Sequence, residues 1–310
     1  MTGGAGLIGS HLCESLAKKG HEIIIFDNFS YGSKKNIKSL LHYEHVQVIK
    51  GDCRNLNNVK DAVKDAEVVF HLAANPDVRL SSTKPEIFFE QNIYATYRLL
   101  EGIRKNSKIH TIVFTSTSTV YGEATKIPTP EDYSPLIPIS IYGASKLACE
   151  ALISAYAKTY DKNAIILRLA NIIGERSTHG ILYDFVRKLK NNSSLLNILG
   201  DGTQKKSYLY ISDCVNAIET AWKRARNQIE FFNIGSEDQV SVRKIAEIVV
   251  SEMGLENVKL IFSGGVDGGR GWKGDVKNML LDISKIKRLG WKPKYNSAEA
   301  IRVTIKRMIR

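Results

Sequence analysis

The sequence predicts an α/β protein with a doubly wound parallel sheet and a second, smaller α/β lobe. Three observations carry this. Short continuous apolar runs alternate with helical patterns through the first half of the chain. A glycine-spaced turn opens it. After about residue 172 the alternation gives way to short segments separated by glycines.

The opening Thr2-Gly3-Gly4-Ala5-Gly6-Leu7-Ile8-Gly9 reads as a turn entering a helix at about 9–19. Gly3 permits a tight turn, Gly6 lets the backbone approach a pyrophosphate, and Gly9 lets the helix pack closely on the sheet. The helix N-terminus offers oriented N–H groups and a positive dipole end. Such turns follow a strand, and here only Met1 stands ahead of it. The runs HEIIIF (21–26), HVQVIK (45–50), AEVVFHL (66–72), IHTIVFTS (109–116) and AIILRLA (164–170) read as parallel strands buried on both faces. Helical patterns at 57–65, 85–106 and 141–160 lie between them, and another closes the chain at 297–309. The expected division is a dinucleotide-binding part at 1–171, rejoined by about 205–235, and a mainly substrate-binding lobe at 172–310. That lobe would fold over the C-terminal edge of the sheet, where open α/β sheets bind ligands.

Of 310 residues, 43% are hydrophobic and 25% charged, the balance of a globular protein. No apolar run approaches the ~18 residues of a membrane span, so no membrane partner is expected. No signal peptide is evident, and Cys13, Cys53, Cys149 and Cys214 are widely spaced. The expectations are a cytoplasmic protein with neither a disulfide framework nor a metal site. The net charge of +12 is spread along helices beside Asp and Glu. It reads as a solvated Lys-rich surface that partly serves an anionic substrate, not as a nucleic-acid face.

Asp27 ends the run EIIIF, 18 residues beyond Gly9, near the spacing of a carboxylate that binds the adenine ribose. It would repel a 2′-phosphate, and Asn28 follows where an Arg would suit one, so the cofactor reads as NAD and not NADP. Asp52 follows the next strand and faces the adenine edge, or else caps a helix. In SIYGASKLACE, Tyr142 and Lys146 share one helix face at i and i+4. An adjacent ammonium favours the phenolate and would make Tyr142 a general base. The hydroxyl-rich FTSTSTVYG (114–122) ends a strand and points into the same crevice.

The glycine turn, DN at 27–28, HLAA at 71–74, FTSTSTVYG and YGASK stand in the order and spacing of the extended short-chain dehydrogenase/reductase family. Later segments RLANIIG (168–174), LGDGTQKKSYLYISD (199–213), FNIGS (232–236) and GWKGD (271–275) extend the resemblance over essentially the whole chain. Within the family the chain looks most like nucleotide-sugar epimerases of the UDP-glucose (galactose) 4-epimerase type. The resemblance implies a Rossmann-type fold, bound NAD, a UDP-sugar substrate and a homodimer formed by helices 85–106 and 141–160. It implies Thr117, Tyr142 and Lys146 as catalytic residues: Thr117 on the sugar 4-hydroxyl, Tyr142 as base, Lys146 on the nicotinamide ribose. Gly3, Gly6, Leu7, Ile8, Asp27, Asn28, Asp52, Cys53, Leu72, Ala73, Ala74 and Asn92, with Tyr142 and Lys146, would surround the cofactor. Asn171, Lys206, Tyr208 and Arg270 would hold the substrate. His71 reads as a scaffold residue and His179 as a loop residue near substrate. The implied reaction oxidises C4 transiently and reduces it again on the opposite face.

The chain also departs from its relatives. Ser118-Thr119 stand where sugar 4,6-dehydratases carry Asp-Glu, and the Glu of UDP-glucuronate decarboxylases is missing from this loop too. Lys206-Ser207 replace the usual diphosphate-gripping Arg, and Trp272 stands where an Arg is common, with Arg270 as a substitute. Met279 occupies a position that is a bulky aromatic in some relatives, which either opens the site to UDP-GlcNAc or simply packs the core. Family members open on a short apolar strand before the glycine turn, so the expectation is a chain lacking that strand. Other readings are an epimerase of UDP-GlcNAc or UDP-uronate, a nucleotide-sugar reductase, or a non-catalytic dinucleotide- or RNA-binding protein.

Overall fold

The computed structural model describes residues 1–309. Its main sheet is parallel. On one side lie β1 (Ile23–Asp27) and β2 (Val46–Lys50), with Ile25 opposite Val48. On the other lie β3 (Val68–His71), β4 (Thr111–Thr117) and β5 (Asn163–Leu169), followed by the strand Ile229–Ile234, which pairs with β5. The segment expected at 205–235 thus adds a strand to this sheet.

Met1 and Thr2 hold the position between the two halves. Thr2 bridges both Phe26 and His71. Its N–H donates to the Phe70 carbonyl at 2.9 Å, while the Met1 carbonyl accepts from Phe26 N–H at 2.8 Å.

Alternation of side chains along the strands sorts the core into two layers. Ile25, Val113, Ile165 and Leu167 face one side, under α1 (Leu7–Ala17) and the helix Ile211–Arg224. Phe26, Ile112, Phe114 and Ile166 face the other, under the helices Leu56–Val63, Ala95–Ile103 and Ile141–Thr159. Every residue of β4 is buried, as expected of a central parallel strand covered on both faces.

The helix expected at 85–106 is present from 86 to 103 but is not α-helical throughout. A wide π turn at Phe89–Tyr94 separates a short turn at Glu86–Phe88 from Ala95–Ile103. The smaller lobe pairs Leu195–Ile198 with Lys259–Phe262 and sets Lys205–Lys206 between Val240–Ser241 and Asn278–Met279. The helix Ser297–Met308 closes it, started by a capping box of Asn296 and Glu299. Among the described residues, no helix is long and apolar enough to cross a membrane.

Candidate active site

A cleft of about 540 Å³ runs along the C-terminal ends of the strands, between the glycine turn and the smaller lobe. Gly3 has φ +67°, and a Cβ there would stand 2.7 Å from the Ala73 nitrogen. A Cβ on Gly9 would overlap the Gly3 carbonyl. The turn therefore lies flat against Leu72-Ala73-Ala74, which line the cleft opposite it. Gly6 stands at the N-cap of α1 and supplies no capping side chain, so the first N–H groups, at Leu7 and Ile8, remain for a ligand.

Asp27 is laced into this turn. Its carboxylate accepts from Ala5 N–H at 2.9 Å and from Phe29 N–H at 2.8 Å, and it lines the cleft. Asn28 donates to Asp52 at 3.2 Å. Asp52 is gripped by Arg54, at 3.1 Å and 2.9 Å, and those hydrogen bonds hold its carboxyl below the usual range. Cys53 is buried, which pushes its thiol up to about 12. Asn92 lies behind the cleft wall and does not line it: its oxygen accepts from Asn75 N–H at 2.9 Å and its amide donates to Ser145 Oγ at 2.9 Å. The direct cofactor role expected of Asn92 is thus corrected to support of the wall.

Thr117, Tyr142 and Lys146 come together. Thr117 ends β4, and its hydroxyl accepts from Thr119 N–H at 3.2 Å. Tyr142 sits in the first turn of Ile141–Thr159, which is capped by Ser140 accepting from Gly143 N–H. Proximity to the Thr117 hydroxyl favours the phenolate, yet burial outweighs it and pushes the phenol up to about 12. Lys146 did not lower it as the sequence suggested; in the protein alone, desolvation governs Tyr142. Lys146 is 3% exposed and its ammonium lies 4.1 Å from the Phe114 ring centroid. Among the described residues it has no hydrogen-bond acceptor, and burial draws it down to about 8. His71 is a scaffold residue, hydrogen-bonded to Thr2 at 2.7 Å and Thr96 at 2.9 Å, with burial drawing it down to about 3.

The substrate end departs from expectation. Asn171 lines the cleft and donates to the Ser207 carbonyl at 3.0 Å, and Tyr208 lines it with its phenol raised by burial. Lys206 reaches the cleft, but its ammonium is already paired with Asp275 and lies 5.2 Å from the Trp272 ring centroid. Met279 sits opposite Lys206 in the register and lines the same wall, as does His179 on the loop across the cleft. Arg270 does not enter the cleft: its guanidinium turns to Glu123 and to the Asp267 carbonyl. Arg270 is therefore corrected from a cleft residue to the partly buried ion-pair partner of Glu123.

Two residues at the site were not foreseen. Ser81 does not line the cleft but accepts from Tyr142 N–H at 3.1 Å across 61 residues, and no local pattern marks it. Tyr31, in the glycine-flanked SYGS, accepts from Asn75 at 3.1 Å across 44 residues and ties two cleft-lining loops together.

A cradle that any Cβ would fill, free N–H groups at a helix start and a buried ammonium without an acceptor fit a dinucleotide. Comparison with known proteins agrees. The NAD dependent epimerase/dehydratase family matches residues 1–235. A crystal structure of UDP-galactose 4-epimerase is 38% identical, covering 99% of this chain and 97% of that one, with a TM-score of 0.88. UDP-glucuronic acid 4-epimerase from Bacillus cereus, solved with UDP-glucuronic acid and NAD, is 31% identical over 99% of this chain and 98% of its own, with a TM-score of 0.90. A UDP-N-acetyl-alpha-D-glucosaminuronate decarboxylase of Bacillus cytotoxicus is 35% identical over 80% of this chain and 77% of its own. The turn, the Tyr-Lys helix and the match over most of the chain make this an NAD-dependent enzyme that belongs to the NAD dependent epimerase/dehydratase family.

Proposed function

We propose that the enzyme is a nucleotide-sugar 4-epimerase of the UDP-glucose/UDP-galactose type. The observation that carries this is the set Thr117, Tyr142 and Lys146 in one cleft, with hydroxyls and no carboxylate at Ser118 and Thr119. Such a site moves a proton at one hydroxyl and has no further acid to drive elimination of water.

The glycine turn, the start of α1, Asp27 and Lys146 would hold NAD, which when bound supplies the hydride acceptor and donor for C4. Tyr142 takes the proton from the sugar 4-hydroxyl and returns it after the sugar has turned. Thr117 holds that hydroxyl against the phenol. In the protein alone Lys146 does not offset burial of the phenol; the positive charge that oxidised NAD would bring beside Tyr142 would act with the ammonium to favour the phenolate. Asn171, Tyr208 and Lys206 anchor the nucleotide diphosphate so that the 4-keto sugar turns without leaving. The uronate reading is supported by the Bacillus cereus relative and by the decarboxylase relative. A homodimer is supported by the aromatic side chains exposed on the 86–103 segment, Phe89, Tyr94 and Tyr97, next to Tyr160.

The test is conversion of UDP-galactose to UDP-glucose by the purified protein with NAD, with Tyr142→Phe as control. Tyr142-dependent conversion without net reduction of NAD establishes the reading. A folded, NAD-binding protein that leaves UDP-galactose unchanged and turns over UDP-glucuronic acid moves it to the uronates.

A further inference from the structure

Glu150 stands four residues after Lys146 on the helix Ile141–Thr159, the spacing at which a carboxylate and an ammonium normally meet across one turn. Here they do not meet. Glu150 turns inward, 2% exposed, and both its oxygens are taken. One accepts from the Ser116 hydroxyl and from Arg168 Nε at 3.1 Å; the other accepts from Arg168 Nη2 at 2.8 Å. Arg168, 4% exposed on β5, is itself fixed. Its Nη1 donates to Tyr121 Oη at 2.9 Å and to the Glu131 carbonyl at 3.0 Å, and the guanidinium lies 4.8 Å from the ring centroids of both Tyr121 and Phe231. Burial is the largest single influence and opposes its charge, but the hydrogen bonds and charge of Glu150 together with Tyr121 outweigh it and hold the guanidinium above its ordinary range.

The consequence falls on Lys146. The titratable groups that act on it are Cys149 and Glu150 from its own helix and His71 from β3; Tyr142 stands one turn away on the same helix face, and β4 presents the uncharged Phe114. Burial keeps the phenol and thiol protonated and the imidazole neutral at neutral pH. Glu150 is the one carboxylate among them, and Arg168 holds it away.

We infer that Arg168 is a positioning residue: by holding Glu150 it keeps the Lys146 ammonium unpaired, free for the cofactor ribose and for Tyr142. This rests on the roles proposed above for Lys146 and Tyr142. A purely structural ion pair would have no such effect, since a buried pair is often replaced by apolar residues of similar volume without loss of stability.

The test compares the wild type with R168M, E150M and R168M/E150M. Three quantities are read for each: the melting temperature, the affinity for NAD, and the pH at which the tyrosinate absorbance of Tyr142 rises in the NAD-loaded enzyme. In R168M the released carboxylate swings to Lys146. NAD affinity falls about tenfold or more, the effect of one charge-assisted hydrogen bond. Tyr142 then ionises at higher pH. R168M/E150M removes the carboxylate as well and recovers NAD binding to within about threefold of the wild type, less than the loss of one such bond. A folded double variant that binds NAD as poorly as R168M overturns the inference. If R168M does not fold, the double variant decides alone: NAD binding near the wild type supports the inference, and a tenfold loss overturns it. Failure of Tyr142→Phe to stop turnover would remove the base role instead, and would leave the NAD-affinity result standing.

Discussion

The two ends of the cleft are built differently. The cofactor end is made of backbone: a glycine turn, a helix start and strand ends, with Lys146 as an ammonium that has no acceptor among the described residues. The substrate end is made of long side chains, and its Lys206 is already paired with Asp275, while Arg270 outside the cleft is paired with Glu123. A backbone-built site depends on residues adjacent in sequence and tolerates little. A side-chain-built site depends on partners far apart and can be retuned one residue at a time.

Tyr142→Phe tests this contrast hardest. It should cut turnover on the order of a thousandfold while leaving NAD binding within a few fold, because it removes the proton acceptor and nothing from the backbone cradle. Single-turnover kinetics with a parallel NAD titration would show it. Gly3→Ala comes next. A Cβ at φ +67° and 2.7 Å from Ala73 should abolish tight NAD binding. It should also destabilise the fold by about 1–3 kcal/mol, measurable by urea unfolding.

The pH dependence of NAD binding separates the two ends further. Burial places Lys146 near 8 in the free protein, and bound cofactor favours its protonated form. Affinity should therefore hold at neutral pH and weaken as pH rises through about 8, by no more than about tenfold per unit. Lys146→Met should flatten that profile. By the same linkage, the unfolded chain keeps this proton to higher pH than the folded one, so the Lys146 contribution to stability of the free protein rises between about 8 and the ordinary lysine value of 10.5.

At the substrate end, Lys206→Met should raise KM for the UDP-sugar about tenfold, the effect of one charged hydrogen bond, with NAD affinity unchanged. Arg270→Ala should do least. It lies outside the cleft and its partner Glu123 is half-exposed, so KM should stay within about threefold. A large effect of Arg270→Ala, with little from Lys206→Met, would reverse the assignment of these two cations.

The same contrast explains what could be read in the sequence. Apolar runs marked β1, β3, β4 and β5, because strands buried on both faces need them; HVQVIK, expected to be such a strand, forms β2 but is only partly buried, with Gln47 and Lys50 exposed. The glycine turn and the Tyr-Lys pair were legible because each is a local spacing. The π turn at Phe89–Tyr94 was not, since one extra residue per turn hardly disturbs an apolar pattern. Nor were the ion pairs of Lys206 and Arg270, whose partners lie 69 and 147 residues away. Arg270 suited the cleft by charge; the fold gave it another carboxylate first.

Asp27 carries a consequence for anyone wishing to change the enzyme's coenzyme. The usual route to a phosphorylated dinucleotide is to neutralise the carboxylate at the end of this strand. Here that carboxylate also holds the N–H groups of Ala5, which is fully buried, and of Phe29. Removing it strands two donors and loosens the loop that must grip the new phosphate. Coenzyme preference and the architecture of the turn are one trait in this chain, and a redesign has to supply a substitute acceptor before it supplies an arginine.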